Sequence, residues 1–219
     1  MENRTEKNKQ NFMITEAYRK VAANIQFANI DDNIKTIMIT SAIANEGKTT
    51  TTCNIATSLT ELNKKILLID LDLRKPSVHK YFKLSNRNGL MDLLLKKDSY
   101  KSYINTISSK LDVITTGKTP ANPSEVINSN TIKEMIKELS EVYDYILLDT
   151  PPVMVVSDPI SIASYSDAVI VTIGYSETEK DIVKKAVDSL KQVNANIIGT
   201  ILNKVPVTKQ NKYYYYSYY

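Results

Sequence analysis

Six short, almost uninterrupted apolar runs divide the chain: Thr36–Thr40 (TIMIT), Lys65–Asp70 (KILLID), Leu111–Thr115 (LDVIT), Tyr145–Asp149 (YILLD), Ala168–Ile173 (AVIVTI) and Asn196–Asn203 (NIIGTILN). A strand with one face in water alternates apolar and polar residues. A strand that is apolar throughout is covered on both faces, as in a parallel sheet. Helical spacing occupies the intervals near residues 48–62, 89–97, 129–142, 157–165 and 178–193. Ahead of the first run, Ala17, Val21, Ile25 and Ala28 mark a helix over Ile14–Ala28, with Thr15 as a candidate cap. The alternation predicts an α/β fold: a doubly wound, mostly parallel sheet flanked by helices. A chain of 219 residues holds one such domain and leaves little room for another. Residues 1–12 read as a polar, mobile arm, 13–205 as the domain and 206–219 as a flexible tail.

Composition narrows the function classes. Hydrophobic residues at 42% and charged residues at 24% give a packed core. The net charge of +4 comes from Lys and Arg spread along the chain, which gives no basic patch for nucleic acid. The single cysteine, Cys53, cannot form an internal disulfide and reads as a small apolar helix residue in a reducing compartment. The one histidine, His79, lies in a polar stretch, and no Cys/His cluster suggests zinc. No apolar run is long enough to span a bilayer, and the first residues do not form a signal peptide. The expectation is a cytoplasmic protein, held at a membrane only by another chain.

The first apolar run leads directly into Ser41-Ala42-Ile43-Ala44-Asn45-Glu46-Gly47-Lys48-Thr49 and then a helix. This is the P-loop pattern G-x-x-x-x-G-K-[ST] with Ala42 at the first glycine. Successive backbone N–H groups at the helix start, from Ala42 through Asn45, Glu46, Gly47, Lys48, Thr49 and Thr50, suit the phosphates of ATP. Lys48 would neutralise their charge, and the Thr49 hydroxyl would ligate Mg²⁺. Two further runs end in acids: Asp149, at the place of a Walker B aspartate, and Asp70 with Asp72, whose i, i+2 spacing puts both on one face of an extended strand. Acidic strand ends beside a P-loop converge on one crevice of an open sheet. A kinase needs, besides the metal site, a carboxylate near an acceptor hydroxyl. Arg74 and Lys75 follow at once and could steady phosphate or an acidic substrate. Asn203-Lys204, after the last strand, is a candidate for the adenine edge, and Asn122-Pro123-Ser124 for a helix start.

Tyr213, Tyr214, Tyr215, Tyr216, Tyr218 and Tyr219 fill six of the last seven positions. Each phenol would need its own partner if buried, so the run reads as accessible hydroxyls.

With Ala42–Thr49, Asp70-Leu71-Asp72-Leu73-Arg74-Lys75-Pro76, Asn122-Pro123-Ser124-Glu125, Leu148-Asp149-Thr150-Pro151-Pro152 and the tyrosine run together, the chain from about residue 15 onward resembles the bacterial tyrosine autokinases of capsule and exopolysaccharide synthesis. The resemblance implies transfer of the ATP γ-phosphate to tyrosines of a neighbour's tail. It assigns Lys48 and Thr49 to Walker A, Asp70 and Asp72 to the second acidic motif and Asp149 to Walker B. Asp70 is then the base, with Asp72 and Asp149 serving Mg²⁺, although Asp70 and Asp72 could exchange roles. It also implies a separate membrane-anchored activator, a cognate tyrosine phosphatase and a homo-oligomeric ring. The ring pattern Glu-x-x-Arg-x-x-Arg is incomplete: Glu16 and Arg19 are present, but Ala22 replaces the second arginine. The alternative is a nucleotide-switched ATPase of the partitioning type. Those carry a lysine where this chain has Ile43.

Overall fold

The computed structural model describes residues 2–29, 33–96 and 99–206. In chain order the elements are α1 (Glu2–Ala28), β1 (Thr36–Ser41), α2 (Lys48–Glu61), β2 (Ile66–Asp70), α3 (Val78–Tyr81), α4 (Leu90–Lys96), a 3₁₀ turn (Tyr100–Tyr103), β3 (Asn105–Ser108), β4 (Leu111–Ile114), α5 (Pro123–Asn128), α6 (Asn130–Ser140), β5 (Tyr145–Asp149), α7 (Asp158–Ala163), β6 (Ala168–Gly174), α8 (Lys180–Lys191) and β7 (Ile197–Asn203). The tyrosines Tyr213 to Tyr219 lie outside the described residues.

The strands form one sheet in the order β3-β4-β2-β5-β1-β6-β7. All neighbouring pairs are parallel except β3 with β4, which is antiparallel. The six apolar runs are the six parallel strands. β3 has no apolar signature because it lies at the sheet edge with three of its four residues exposed.

Period-two alternation sends side chains into two cores. On one face Ile37 and Ile39 of β1, Ile66 and Leu68 of β2 and Leu147 of β5 pack with Tyr18, Ala22 and Ile25 of α1 and with Ile55 and Leu59 of α2. The intervening Met38, Leu67, Ile69, Ile146 and Leu148 face the other way, against α4 to α8. Every residue of β1, β2 and β5 is buried, so these central strands are covered on both faces as their composition requires.

α1 begins at Glu2, well before the expected Ile14. The segment read as an arm is therefore helical, with neither glycine nor proline before Ala28 to stop it. Thr15 does not cap. Its hydroxyl donates back to the Asn11 carbonyl at 3.0 Å, within the helix. Ala22 is fully buried against α2 and the sheet, so the position of the missing arginine points into the core. Arg19 is engaged within its own subunit, with Glu16 one turn away and with Glu61 at the end of α2, at 2.5 and 2.6 Å. No helix among the described residues is long and apolar enough to cross a membrane.

Candidate active site

The strand order places the site. β5 lies between β1 and β2, so the segments following three adjacent parallel strands open on one crevice. Asp149, at the end of β5, is in register with Asp70 on one side and Ile39 on the other. The P-loop leaves β1 beside them.

Two residues of that loop adopt left-handed backbone, Asn45 (φ 69°) and Gly47 (φ 86°). At Gly47 a glycine is required twice over. A Cβ there would lie 2.1 Å from Asn203 Nδ2, and the backbone angle disfavours any side chain. Asn203 donates from Nδ2 to the Glu46 carbonyl at 2.9 Å, tying the end of β7 to the loop. The fully buried Glu46 carboxylate accepts from the Ile43 and Gly174 amides, both at 2.8 Å, so this side chain fastens the loop to β6. That is a scaffold role for Glu46, distinct from the phosphate contact expected of its backbone. The carbonyls of Ser41 and Ala42 accept from Val153 and Met154, which joins the loop to the segment after β5.

At the head of α2, Lys48 Nζ donates to Asp72 Oδ2 at 2.8 Å and lies 3.8 Å from Asp149 Oδ2. The Thr49 hydroxyl donates to Asp149 Oδ2 at 2.7 Å. Thr52, one helical turn beyond Lys48, places its hydroxyl 3.2 Å from Asp149 Oδ1 and 2.8 Å from the Lys48 carbonyl. Burial alone would lower the Lys48 pKa, but Asp149 and Asp72 outweigh it and hold the ammonium charged. Burial pushes the Asp149 carboxyl up, against the opposing pull of Lys48 and Thr49.

Asp70 and Asp72 are organised by one turn. Asp70 Oδ2 accepts from the amides of Ser77 and Val78 at 3.0 Å each, and Oδ1 from the Asp72 amide at 3.2 Å. Asp72 Oδ1 accepts from the Lys75 amide at 2.9 Å. Asp70 is fully buried, and burial, reinforced by the charge of Asp149, raises its pKa to about 8.

The structure thus brings Lys48, Thr49, Asp70, Asp72 and Asp149 together. Thr50 is exposed on α2 and stands apart from the carboxylates. With Asn203 it lines a cleft of about 670 Å³ beside the loop, whose walls include Tyr18, Asn54, Leu202 and Val205. Arg74 turns to Asp158, not to the crevice acids: Nε donates to Asp158 Oδ2 at 2.8 Å. Asn122 precedes α5, with Pro123 in its first turn, but the Asn122 side chain bonds Glu125, not the helix amides. Thr52 and Asp158 escape sequence reasoning. Thr52 could be found from its i+4 spacing to Lys48, whereas Asp158 belongs to no motif.

An AAA-domain profile matches residues 34–203. Tyrosine-protein kinase YwqD of Bacillus subtilis is 40% identical over 204 residues, covering 93% of this chain and 86% of that protein. The chain belongs to the bacterial tyrosine-protein kinases. Two solved relatives share its architecture. The kinase domain of the Escherichia coli tyrosine kinase ETK is 30% identical, with a TM-score of 0.84 over 89% of this chain and 77% of the other. The chimerical protein CapA2B2 is 35% identical, with a TM-score of 0.83 over 87% and 84% of the two chains. This tyrosine-protein kinase has the P-loop fold expected from its strand pattern, with an antiparallel edge strand added.

Proposed function

We propose that this kinase uses Mg²⁺-ATP to phosphorylate its own C-terminal tyrosines, in trans, and thereby regulates capsular or extracellular polysaccharide synthesis. The observation that carries the reading is the position of Lys48, between Asp72 and Asp149 in the crevice where Asp70 also lies. An ammonium at the head of a helix can exchange those carboxylates for phosphate oxygens, with backbone amides supplying the remaining donors. The cleft lined by Thr50 and Asn203 is large enough for a nucleoside, and Asn203 bonds the Glu46 carbonyl of the loop.

The donor set fits Mg²⁺. Thr49, Asp72 and Asp149 offer hard oxygen ligands, and such a cation takes its remaining ligands from phosphate and water. Bound by Thr49, Asp72 and Asp149, it would supply positive charge against the charge developing on the phosphate oxygens. The chain's own residues would do the rest. Lys48 holds the γ-phosphoryl group, and a tyrosine hydroxyl approaches in line. Asp70 takes the phenolic proton as the phenolic oxygen bonds to phosphorus and the bond from phosphorus to the ADP oxygen breaks. The raised pKa makes Asp70, once ionised, a stronger base than an ordinary carboxylate.

Thirteen residues behaving as a flexible coil would span roughly 20 Å, a length over which the tyrosines could be offered to a neighbouring subunit. A membrane-anchored activator fits a chain without a membrane-crossing helix among its described residues and the solution of a relative as a two-part chimera. That activator would recruit the kinase to the inner face of the membrane, and a tyrosine phosphatase would reverse the modification.

The test is intact-mass analysis and peptide mapping after incubation with Mg²⁺-ATP, wild type beside Lys48→Met and Thr49→Ala. Phosphate should appear on Tyr213–Tyr219 in the wild type and fall by at least about 100-fold in Lys48→Met, the scale expected when transition-state charge stabilisation is removed. ATP hydrolysis with an unmodified tail, even with the activator present, would overturn the proposal.

A further inference from the structure

Ser124, Arg74 and Asp158 form a cluster that the phosphate-site motifs do not explain. Asp158 opens α7 and is 2% exposed. Its Oδ2 accepts from Arg74 Nε at 2.8 Å, and its Oδ1 from Ser124 Oγ at 2.7 Å and Arg74 Nη2 at 3.4 Å. Arg74 Nη2 also reaches Ser124 Oγ at 3.1 Å. Both carboxylate oxygens are therefore engaged by one guanidinium, the bidentate arrangement that fixes orientation as well as charge.

The value of this cluster lies in what it anchors. Arg74 stands in the turn that supports both catalytic carboxylates, between Asp72 and the Ser77 and Val78 amides that hold Asp70. That turn has a second side-chain tie, from Asp72 to Lys48. In the proposed reaction Lys48 passes to the phosphates, so this second tie is given up when nucleotide binds. The Arg74–Asp158–Ser124 cluster contains no P-loop or Mg²⁺ residue, and Arg74, which its place in the sequence had offered for phosphate, is taken up by Asp158 and Ser124, so the cluster can persist.

We propose that Asp158 is a positioning residue: through Arg74, with Ser124 completing its shell, it holds the Asp70–Val78 turn in place once Lys48 has left Asp72 for the nucleotide. The inference rests on the kinase reading and adds to it a residue outside the motifs. Removing the Asp158 charge should leave nucleotide capture by the P-loop nearly intact while disturbing the carboxylates on the far side of the crevice.

The experiment compares wild type, Asp158→Asn, Arg74→Lys and Ser124→Ala as full-length chains. Three quantities are read: the dissociation constant of a fluorescent ADP analogue, the kcat and half-saturating Mg²⁺ concentration for autophosphorylation, and amide hydrogen exchange at residues 75–78 with and without Mg²⁺-ADP. For Asp158→Asn the expected outcome is less than about a 3-fold change in nucleotide affinity, a kcat reduced about 10- to 100-fold, a higher Mg²⁺ requirement, and exchange at 75–78 that accelerates most with nucleotide bound. Arg74→Lys should reproduce the defect, because an ammonium cannot span both oxygens, and Ser124→Ala should give a milder one. Asp158→Asn with wild-type kcat, Mg²⁺ requirement and exchange overturns the proposal. So does a variant that loses nucleotide affinity and melting temperature in parallel with activity. A wild-type protein that binds ADP but transfers no phosphate fails the kinase reading instead. The exchange measurement then still decides whether Asp158 holds the turn.

Discussion

The raised pKa of Asp70 makes a stability measurement that probes the crevice without any substrate. The perturbation is Asp70→Asn in nucleotide- and Mg²⁺-free protein. An aspartate in the unfolded chain titrates near 4. In the folded protein burial, with help from Asp149, pushes Asp70 to about 8. A folded pKa above the unfolded one means that folding takes up a proton between those limits. The stabilising contribution is complete below about pH 4 and is lost as pH rises through about 8. Across the interval, stability falls by at most about 1.4 kcal/mol per pH unit for this one proton. Asparagine removes that slope at a pH-independent cost. Its single carbonyl oxygen cannot serve the Asp72, Ser77 and Val78 amides as the two oxygens of the carboxyl group do, because the amide NH2 accepts no hydrogen bond, and an amide left without an acceptor costs about 1–3 kcal/mol. The variant should therefore be less stable than wild type near pH 4, gain on it steadily as pH rises, overtake it between about pH 5 and 6, and exceed it by pH 8. Urea unfolding at half-unit pH steps measures the difference. His79, whose pKa is lowered by burial, titrates in both proteins and largely cancels. A difference that stays flat within about 0.5 kcal/mol from pH 5 to 8 would show that Asp70 does not retain its proton above the ordinary carboxylate range, and would refute the reasoning.

Gly47→Ala should cost about 2–3 kcal/mol in thermal unfolding, combining a left-handed alanine with loss of the Asn203–Glu46 hydrogen bond. Adding Asn203→Ala should recover only the steric part, and full recovery would show that the backbone angle is not limiting. Ala22→Arg, which would restore the ring pattern, should destabilise the subunit by at least about 2 kcal/mol because position 22 is enclosed by α2 and the sheet. Unchanged stability with a larger assembly by light scattering would contradict that placement.

The sheet is legible in the sequence because burial on both faces leaves a composition that no other element shares: Leu67, Leu68 and Ile69 in succession can only be a covered strand when a helix of full length does not fit. The crevice is legible for a related reason, since each of its carboxylates lies at or just beyond the end of such a run. β3 is invisible because an edge strand with its side chains in water needs no apolar pattern. The early start of α1 escapes because a polar helix looks like an arm when only apolar spacing is read. Asp158 escapes for a different reason. Its partner Arg74 is 84 residues away, and only the tertiary fold brings the start of α7 to the turn after β2. Glu46 is found with the P-loop, but the role of its side chain is unreadable: the Gly174 amide that it accepts from belongs to a strand 128 residues later.

The charge balance of the crevice bears on what separates a kinase from a nucleotide switch. Lys48 is the cation that contacts Asp72 and Asp149, and its charge also acts on Asp70. Among the described residues one ammonium in direct contact with this group of three carboxyls, with Arg74 acting on Asp72 from farther off, leaves the acids repelling one another, which adds to burial in making Asp70 and Asp149 resist ionisation. ATP alone would deepen the deficit, because it brings further negative charge and draws Lys48 towards itself. Under the proposed reaction Asp72 and Asp149, once Lys48 turns to the nucleotide, would have oxygens free to hold a dication in exchange, and its charge would keep the crevice neutralised. The same exchange serves hydrolysis and tyrosine phosphorylation equally well. Lys48, Thr49, Asp72 and Asp149 therefore do not by themselves decide between the two outcomes. In the proposed reaction that decision rests on the acceptor and its approach: whether a phenol or a water reaches Asp70, whose carboxyl group accepts from the amides of the turn in which Arg74 bonds Asp158.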